Sequence, residues 1–139
     1  MSRWIILEDE PQLYNVLMDF TEIFGVGGIG FPNGDQAIEW IEDVDNGLYD
    51  GELPVLALLD YRMDEGQASG GDVGRRLRTS PILNNIAVVM MSAYAATDAF
   101  KREILHDSQA DLLIPKPLPT MHELRNILLE VIRKRGIVA

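Results

Sequence analysis

Four short segments of the 139-residue chain carry side chains that could act together. Glu8, Asp9 and Glu10 follow the apolar run Trp4–Leu7. Asp60 follows Val55–Leu59, Ser92 follows Ile86–Met91, and Lys116 lies just past Asp111–Ile114. Grouped carboxylates are hard oxygen donors suited to Mg²⁺, an ion that keeps several waters and shares its shell with phosphoryl oxygens. A carboxylate can also be a nucleophile and form an acyl phosphate. The charge that develops on a phosphoryl group during transfer must meet partners already in place, and an ammonium and a hydroxyl supply them. A phosphoryl-accepting aspartate accounts for the whole set, although no single member suggests that chemistry. It requires a fold that brings four distant segments to one place.

The elements that could do so alternate along the chain. Trp4–Leu7 reads as a buried strand. Glu10-Pro11 opens a helix, with proline in the first turn where its missing N–H costs nothing. Leu13, Val16, Leu17, Phe20 and Phe24 make one apolar stripe on it. Gly25–Gly30 breaks that helix, Ile29–Phe31 is a weak strand, and Asn33-Gly34-Asp35 leads into a second helix with Ala37, Ile38 and Ile41. Asn46–Pro54 is a polar loop. Val55–Leu59 is apolar throughout, as expected of a central parallel strand covered on both faces.

The second half repeats the pattern. Asp64–Gly71 reads as a polar, glycine-rich loop, Val73–Arg78 as a helix, Ile86–Met91 as a strand, and a further helix lies near Thr97–His106. Asp111–Ile114 is a short strand closed by Pro115-Lys116-Pro117, which suits a sheet edge. Thr120 to Glu123 is a capping-box pattern. It opens a last helix with Leu124, Ile127, Leu128 and Val131, and Arg133-Lys134-Arg135 near its C-terminus favours the helix dipole. Five strands alternating with five helices predict one α/β domain over residues 1–139, a five-stranded, doubly wound parallel sheet. Ligands of such sheets bind outside the carboxyl ends of the strands. The four chemical segments all fall at those ends.

Composition narrows the alternatives. The chain is 47% hydrophobic and 24% charged, a globular balance. It has no cysteine, which excludes disulfides, a thiol nucleophile and zinc–thiolate sites. A net charge of −10 opposes binding to nucleic acid. The charge is uneven: residues 1–70 hold 15 acids and two bases, whereas residues 71–139 hold seven acids and ten bases. The N-terminal apolar run is too short for a secretory signal, and no stretch nears the ~20 apolar residues that span a bilayer. The expectation is a cytoplasmic protein without a membrane partner. Gly25 to Gly30 fits G-x-G-x-x-G but follows a helix, so it reads as a helix end and turn rather than a dinucleotide loop. His106 and His122 lack partners at ligand spacing. The Arg75-Arg76-Leu77-Arg78 and Arg133-Lys134-Arg135 clusters read as solvated helix faces.

With these residues in order, the chain resembles bacterial response-regulator receiver domains over nearly its whole length. Leu7-Glu8-Asp9-Glu10-Pro11 is similar to the family's acidic pair after the first strand, and Leu58-Leu59-Asp60-Tyr61-Arg62-Met63 to the segment with its phosphoacceptor. Met91-Ser92-Ala93 is similar to the Thr/Ser-Ala pair, and Ala110-Asp111 through Lys116-Pro117 to the final Lys-Pro. The resemblance implies a flavodoxin-like (βα)5 fold with strand order 2-1-3-4-5. It implies that Asp60 accepts a phosphoryl group from a sensor histidine kinase or phosphotransfer protein. Mg²⁺ would be held by Asp9, Asp60, the backbone carbonyl of Arg62 and, more loosely, Glu8, while Ser92 and Lys116 would contact the phosphoryl oxygens. It also makes Lys116-Pro117 a candidate cis bond. The protein would be a signalling module rather than a dedicated enzyme, catalysing only its own phosphotransfer and autodephosphorylation. Because the chain ends just after the last helix, a stand-alone receiver acting on a separate downstream protein is expected, with a homodimer possible.

Three departures from the family pattern stand out. Glu8 occupies a position where aspartate is usual, the loop over Asp64–Gly70 is about two residues longer and more acidic, and Leu113 replaces a common aromatic. Tyr94 is another aromatic nearby. These departures keep a second reading open, a phosphorylation-independent protein-binding module with the same fold. A hydrolase working through an aspartyl phosphate is disfavoured, because its usual second aspartate is replaced by Arg62.

Overall fold

The apolar runs become the strands of one parallel sheet. The computed structural model describes residues 2–62, 67–94 and 97–138. Its elements are β1 (Arg3–Leu7), α1 (Pro11–Ile23), β2 (Gly27–Phe31), α2 (Gly34–Asp45), β3 (Pro54–Asp60), α3 (Gly70–Thr79), β4 (Ala87–Ser92), α4 (Asp98–Ser108), β5 (Leu112–Pro115) and α5 (Met121–Lys134). The strand order is β2-β1-β3-β4-β5, with every neighbouring pair parallel. This is the expected doubly wound order, and β5 with Pro115 lies at an edge. Asp64, Glu65 and Gly66 of the expected long loop lie outside the described residues. Among the described residues no helix is long and apolar enough to cross a membrane.

Alternation along the strands divides the core in two. Ile5, Leu7, Ala57, Leu59, Val88 and Met90 face a layer made by Ile41 of α2, Val73 and Leu77 of α3 and Ile104 of α4. Trp4, Ile6, Leu56, Leu58, Val89 and Met91 face Leu17 and Phe20 of α1 and Leu124 and Leu128 of α5. Leu56 to Leu59 are all fully buried, as a strand covered on both faces must be. Each such leucine contributes roughly 1.5–3 kcal/mol by leaving water. The register aligns the carboxyl ends: Leu7 pairs with Leu59, Asp60 with Met91, and Ser92 with Pro115. One edge of the sheet therefore carries Glu8, Asp60, Ser92 and Lys116.

Two boundaries differ from the sequence expectation. The stretch expected as a helix end and turn is a turn only at Gly25, where φ is +73°. Gly27 to Gly30 already belong to β2, paired with Arg3 to Ile6 of β1. Glycines carry no apolar side chain to register as period-two alternation, and here the neighbouring strand defines the element. α3 begins at Gly70 rather than Val73. Ser69 caps it, its Oγ accepting from the Asp72 N–H (3.1 Å) while the Asp72 carboxylate accepts from the Ser69 N–H (2.9 Å). That reciprocal cap offsets the poor helix propensity of two glycines.

The basic clusters are also less solvated than expected. Arg76 pairs with Asp45 at 2.7 Å, and Arg78 and Arg135 both reach Asp111, at 3.2 and 2.9 Å. The Arg78 side chain is only 9% exposed. Hydrogen bonds from these two arginines thus stitch the ends of α3, β4 and α5 to Asp111 and to the backbone carbonyls of Asn84, Asn85 and Ile86. These side chains hold the amino-terminal edge of the sheet together, opposite the chemical edge.

Candidate functional site

Asp60 is the last residue of β3 and is 6% exposed. The chain beyond it is tied on both sides. The Tyr61 N–H donates to the Met91 carbonyl (2.9 Å), and the Gly70 N–H donates to the Tyr61 carbonyl (3.1 Å). Gly70 lies so close that a Cβ there would stand 2.0 Å from the Asp60 carbonyl oxygen. Sequence reading assigned Gly70 to a loop and missed this role. A doubled glycine directly after a good N-cap serine was the available signal. Tyr61 is likewise anchored, its hydroxyl donating to Asp107 on α4 (3.0 Å).

The acidic residues after β1 divide by role. The Glu8 side chain is fully buried. One of its oxygens, Oε2, accepts the Glu10 N–H at 3.1 Å. Glu10 turns away and caps α1, accepting from the N–H groups of Gln12 (3.2 Å) and Leu13 (2.6 Å). Glu8, Asp9 and Asp60 each offer a carboxylate oxygen, and those three atoms lie within 4.8 Å of one another.

Lys116 enters from the end of β5. Its N–H donates to the Ser92 carbonyl (2.9 Å), and the Lys116–Pro117 peptide is cis. Its Nζ lies 2.7 Å from Glu8 Oε1 and 3.4 Å from Asp60 Oδ2. Ser92 is buried at the end of β4, and its Oγ accepts the Tyr94 N–H at 3.0 Å. Arg62 is exposed two residues past Asp60, its guanidinium stacked 4.8 Å from the centre of the Tyr94 ring. The structure thus brings Glu8, Asp9, Asp60 and Lys116 into one cluster, with Ser92 on the adjoining strand end. The Arg62 side chain lies over Tyr94; the expected metal set involves only its backbone carbonyl. Leu113 packs against the core on the α2–α4 side of the sheet, and Tyr94 is 59% exposed.

The electrostatics follow from three carboxylates sharing one ammonium. Burial, reinforced by the negative charge of Glu8, pushes the Asp60 carboxyl up to about 7, against the pull of Lys116. Burial would depress the Lys116 ammonium, but its bonds to Glu8 and Asp60 outweigh that and raise it above its usual value. A cluster of hard oxygens with surplus negative charge is the donor set a small divalent cation requires, and such an ion would displace the proton that Asp60 holds near neutrality. The residues present fit Mg²⁺.

Comparison with known proteins gives structural neighbours only. No protein-family model matches the sequence, and no curated protein matches it. Among solved structures, the chain is similar to a response-regulator receiver domain from Francisella, at 17% identity and a TM-score of 0.76 over 96% of this chain and 98% of that one. It is similar to the receiver domain of a sensor histidine kinase from Pseudomonas aeruginosa PAO1, at 20% identity and a TM-score of 0.76 over 95% and 98%. That structure has a magnesium ion coordinated in the active-site cleft. A receiver domain of a signal transduction histidine kinase from Syntrophus aciditrophicus gives 22% identity and a TM-score of 0.76 over 96% and 92%. The strand order, the near-complete coverage and the acidic cluster at the carboxyl edge lead to one conclusion: the chain has the fold of two-component response-regulator receiver domains.

Proposed function

We propose that the protein is a phosphorylation-driven signalling switch in which Asp60 accepts a phosphoryl group from a sensor histidine kinase or a phosphotransfer protein. The observation that carries this reading is the convergence of Glu8, Asp9 and Asp60 within 4.8 Å, with the Lys116 ammonium 3.4 Å from Asp60. An oxygen of the Asp60 carboxylate attacks phosphorus, and the phosphorus–nitrogen bond to the donor imidazole breaks, its electron pair returning to the nitrogen. The product is an acyl phosphate on Asp60. Lys116 and the Ser92 hydroxyl meet the phosphoryl oxygens. Asp9, Asp60 and the Arg62 carbonyl would hold Mg²⁺, with Glu8 bound more loosely. When bound, the ion neutralises phosphoryl oxygens and favours the ionised, nucleophilic form of Asp60.

The new charge on Asp60 then draws Ser92 and Lys116 toward it and biases the domain between two conformations. A downstream partner reads that bias. The chain's own chemistry ends with its phosphotransfer and autodephosphorylation, and the setting that fits these partners is the cytoplasm.

Incubation with acetyl phosphate and Mg²⁺, followed by intact mass spectrometry, tests the proposal. One phosphoryl group should be added, dependent on Mg²⁺ and absent from Asp60→Asn. An unmodified chain would overturn it in favour of the phosphorylation-independent binding module, and equal labelling of the variant would overturn Asp60 as the acceptor.

A further inference from the structure

The geometry points to Glu8 as the residue that parks Lys116 in the resting protein, so that Mg²⁺ entry and the release of Lys116 are a single exchange of cations. This inference rests on reading Asp60 as the phosphoacceptor and Glu8, Asp9 and Asp60 as the metal cluster. It assigns Glu8 a positioning role that acts through Lys116.

Three features support it. First, the ammonium sits on Glu8 rather than Asp60. The contact to Glu8 Oε1 is 2.7 Å, a charge-assisted hydrogen bond, whereas that to Asp60 Oδ2 is 3.4 Å. Full engagement of oxygens on Asp60 would therefore require the ammonium to give up its shorter contact to Glu8. Second, both Glu8 oxygens are engaged, one by Lys116 and the other by the Glu10 N–H at 3.1 Å, and the side chain is fully buried. The glutamate end of the pair is fixed, and the ammonium, on a stem of four methylenes, is the end free to move. Third, Lys116 is the one ammonium the described contacts bring to this three-carboxylate cluster. Mg²⁺ entering beside it would place two cations on the same oxygens, where their repulsion is scarcely screened.

The length of Glu8 matters to this arrangement. An aspartate on the same backbone ends one carbon–carbon bond sooner, about 1.5 Å. Its oxygens would fall outside hydrogen-bond range of Lys116 while keeping the same charge beside the metal cluster. Glu8 therefore sets the threshold of Mg²⁺ at which Lys116 becomes available for phosphoryl oxygens, and by linkage a parked Lys116 weakens Mg²⁺ binding.

The test is Mg²⁺ affinity by titration calorimetry on four full-length proteins: the parent, Glu8→Asp, Lys116→Met and the double variant. Glu8→Asp should favour Mg²⁺ binding at least about fivefold more with Lys116 present than with methionine there. Equal effects in both backgrounds would overturn the proposal. A second measurement needs no substitution. The Lys116 Nζ protons, slowed in exchange by Glu8, should lose that protection as Mg²⁺ saturates the parent protein, and protection unchanged at saturation would also overturn it. Failure of the underlying reading looks different: none of the four proteins would bind Mg²⁺, and the parking role would fall with it.

Discussion

Replacing Asp60 with asparagine should stabilise the metal-free protein, and the gain should grow with pH. Asp60 titrates near 7 in the folded chain against an ordinary value of 3.8, because burial and the Glu8 charge disfavour its ionised form. The folded state thus holds this proton more tightly than the unfolded state. Below about pH 4 both states carry it and the group costs nothing. As pH rises toward 7 the unfolded state releases it first, so stability falls across that window and levels off above it. One pKa unit corresponds to about 1.4 kcal/mol, so the full penalty is about 4 kcal/mol, of which roughly 2–3 kcal/mol develops between pH 5 and pH 8. Asparagine resembles the protonated acid in size and cannot ionise. Urea unfolding of both proteins in EDTA at pH 5 and pH 8 would measure the difference. The advantage of Asp60→Asn should widen by roughly 2–3 kcal/mol, and millimolar Mg²⁺ at pH 8 should narrow it by binding the parent. A difference that stays the same at both pH values, or a less stable variant at pH 8, would refute this account of the cluster.

Two further substitutions probe how the site is held. Gly70→Ala would force a methyl to within 2.0 Å of the Asp60 carbonyl and should cost about 2–4 kcal/mol in urea unfolding. Gly25→Ala, with open space around it but φ at +73°, should cost only about 1–2 kcal/mol. Asp111→Ala would remove the carboxylate that Arg78 and Arg135 share and the acceptor for the Val88 N–H. A loss of about 2–4 kcal/mol is expected by the same measurement; a neutral outcome would show that these pairs contribute nothing net.

The central strands were readable because their chemistry leaves little choice. A run such as Leu56-Ala57-Leu58-Leu59 has no polar face, so it must be covered on both sides, and β3 is. The position of Asp60, Ser92 and Lys116 at strand ends followed from the same runs. The glycine elements were harder. Gly27 to Gly30 form β2 because β1 offers them partners, a tertiary cause with no local signature. Residue 70 is glycine because only a residue without Cβ fits against the Asp60 peptide, and that neighbour becomes visible only after folding. The direction of charged side chains was hidden too. Pro11 marked Glu10 as the start of α1, but nothing in Leu7-Glu8-Asp9 shows that Glu8 meets Lys116 across the sheet edge; folding decides that.

The sheet also acts as a partition. Among the described residues its two faces bury separate sets of side chains, divided by the strand backbones. A cavity cut behind α5, as by Leu128→Ala, would leave the packing of α3 and α4 intact, and the reverse holds for Leu77→Ala.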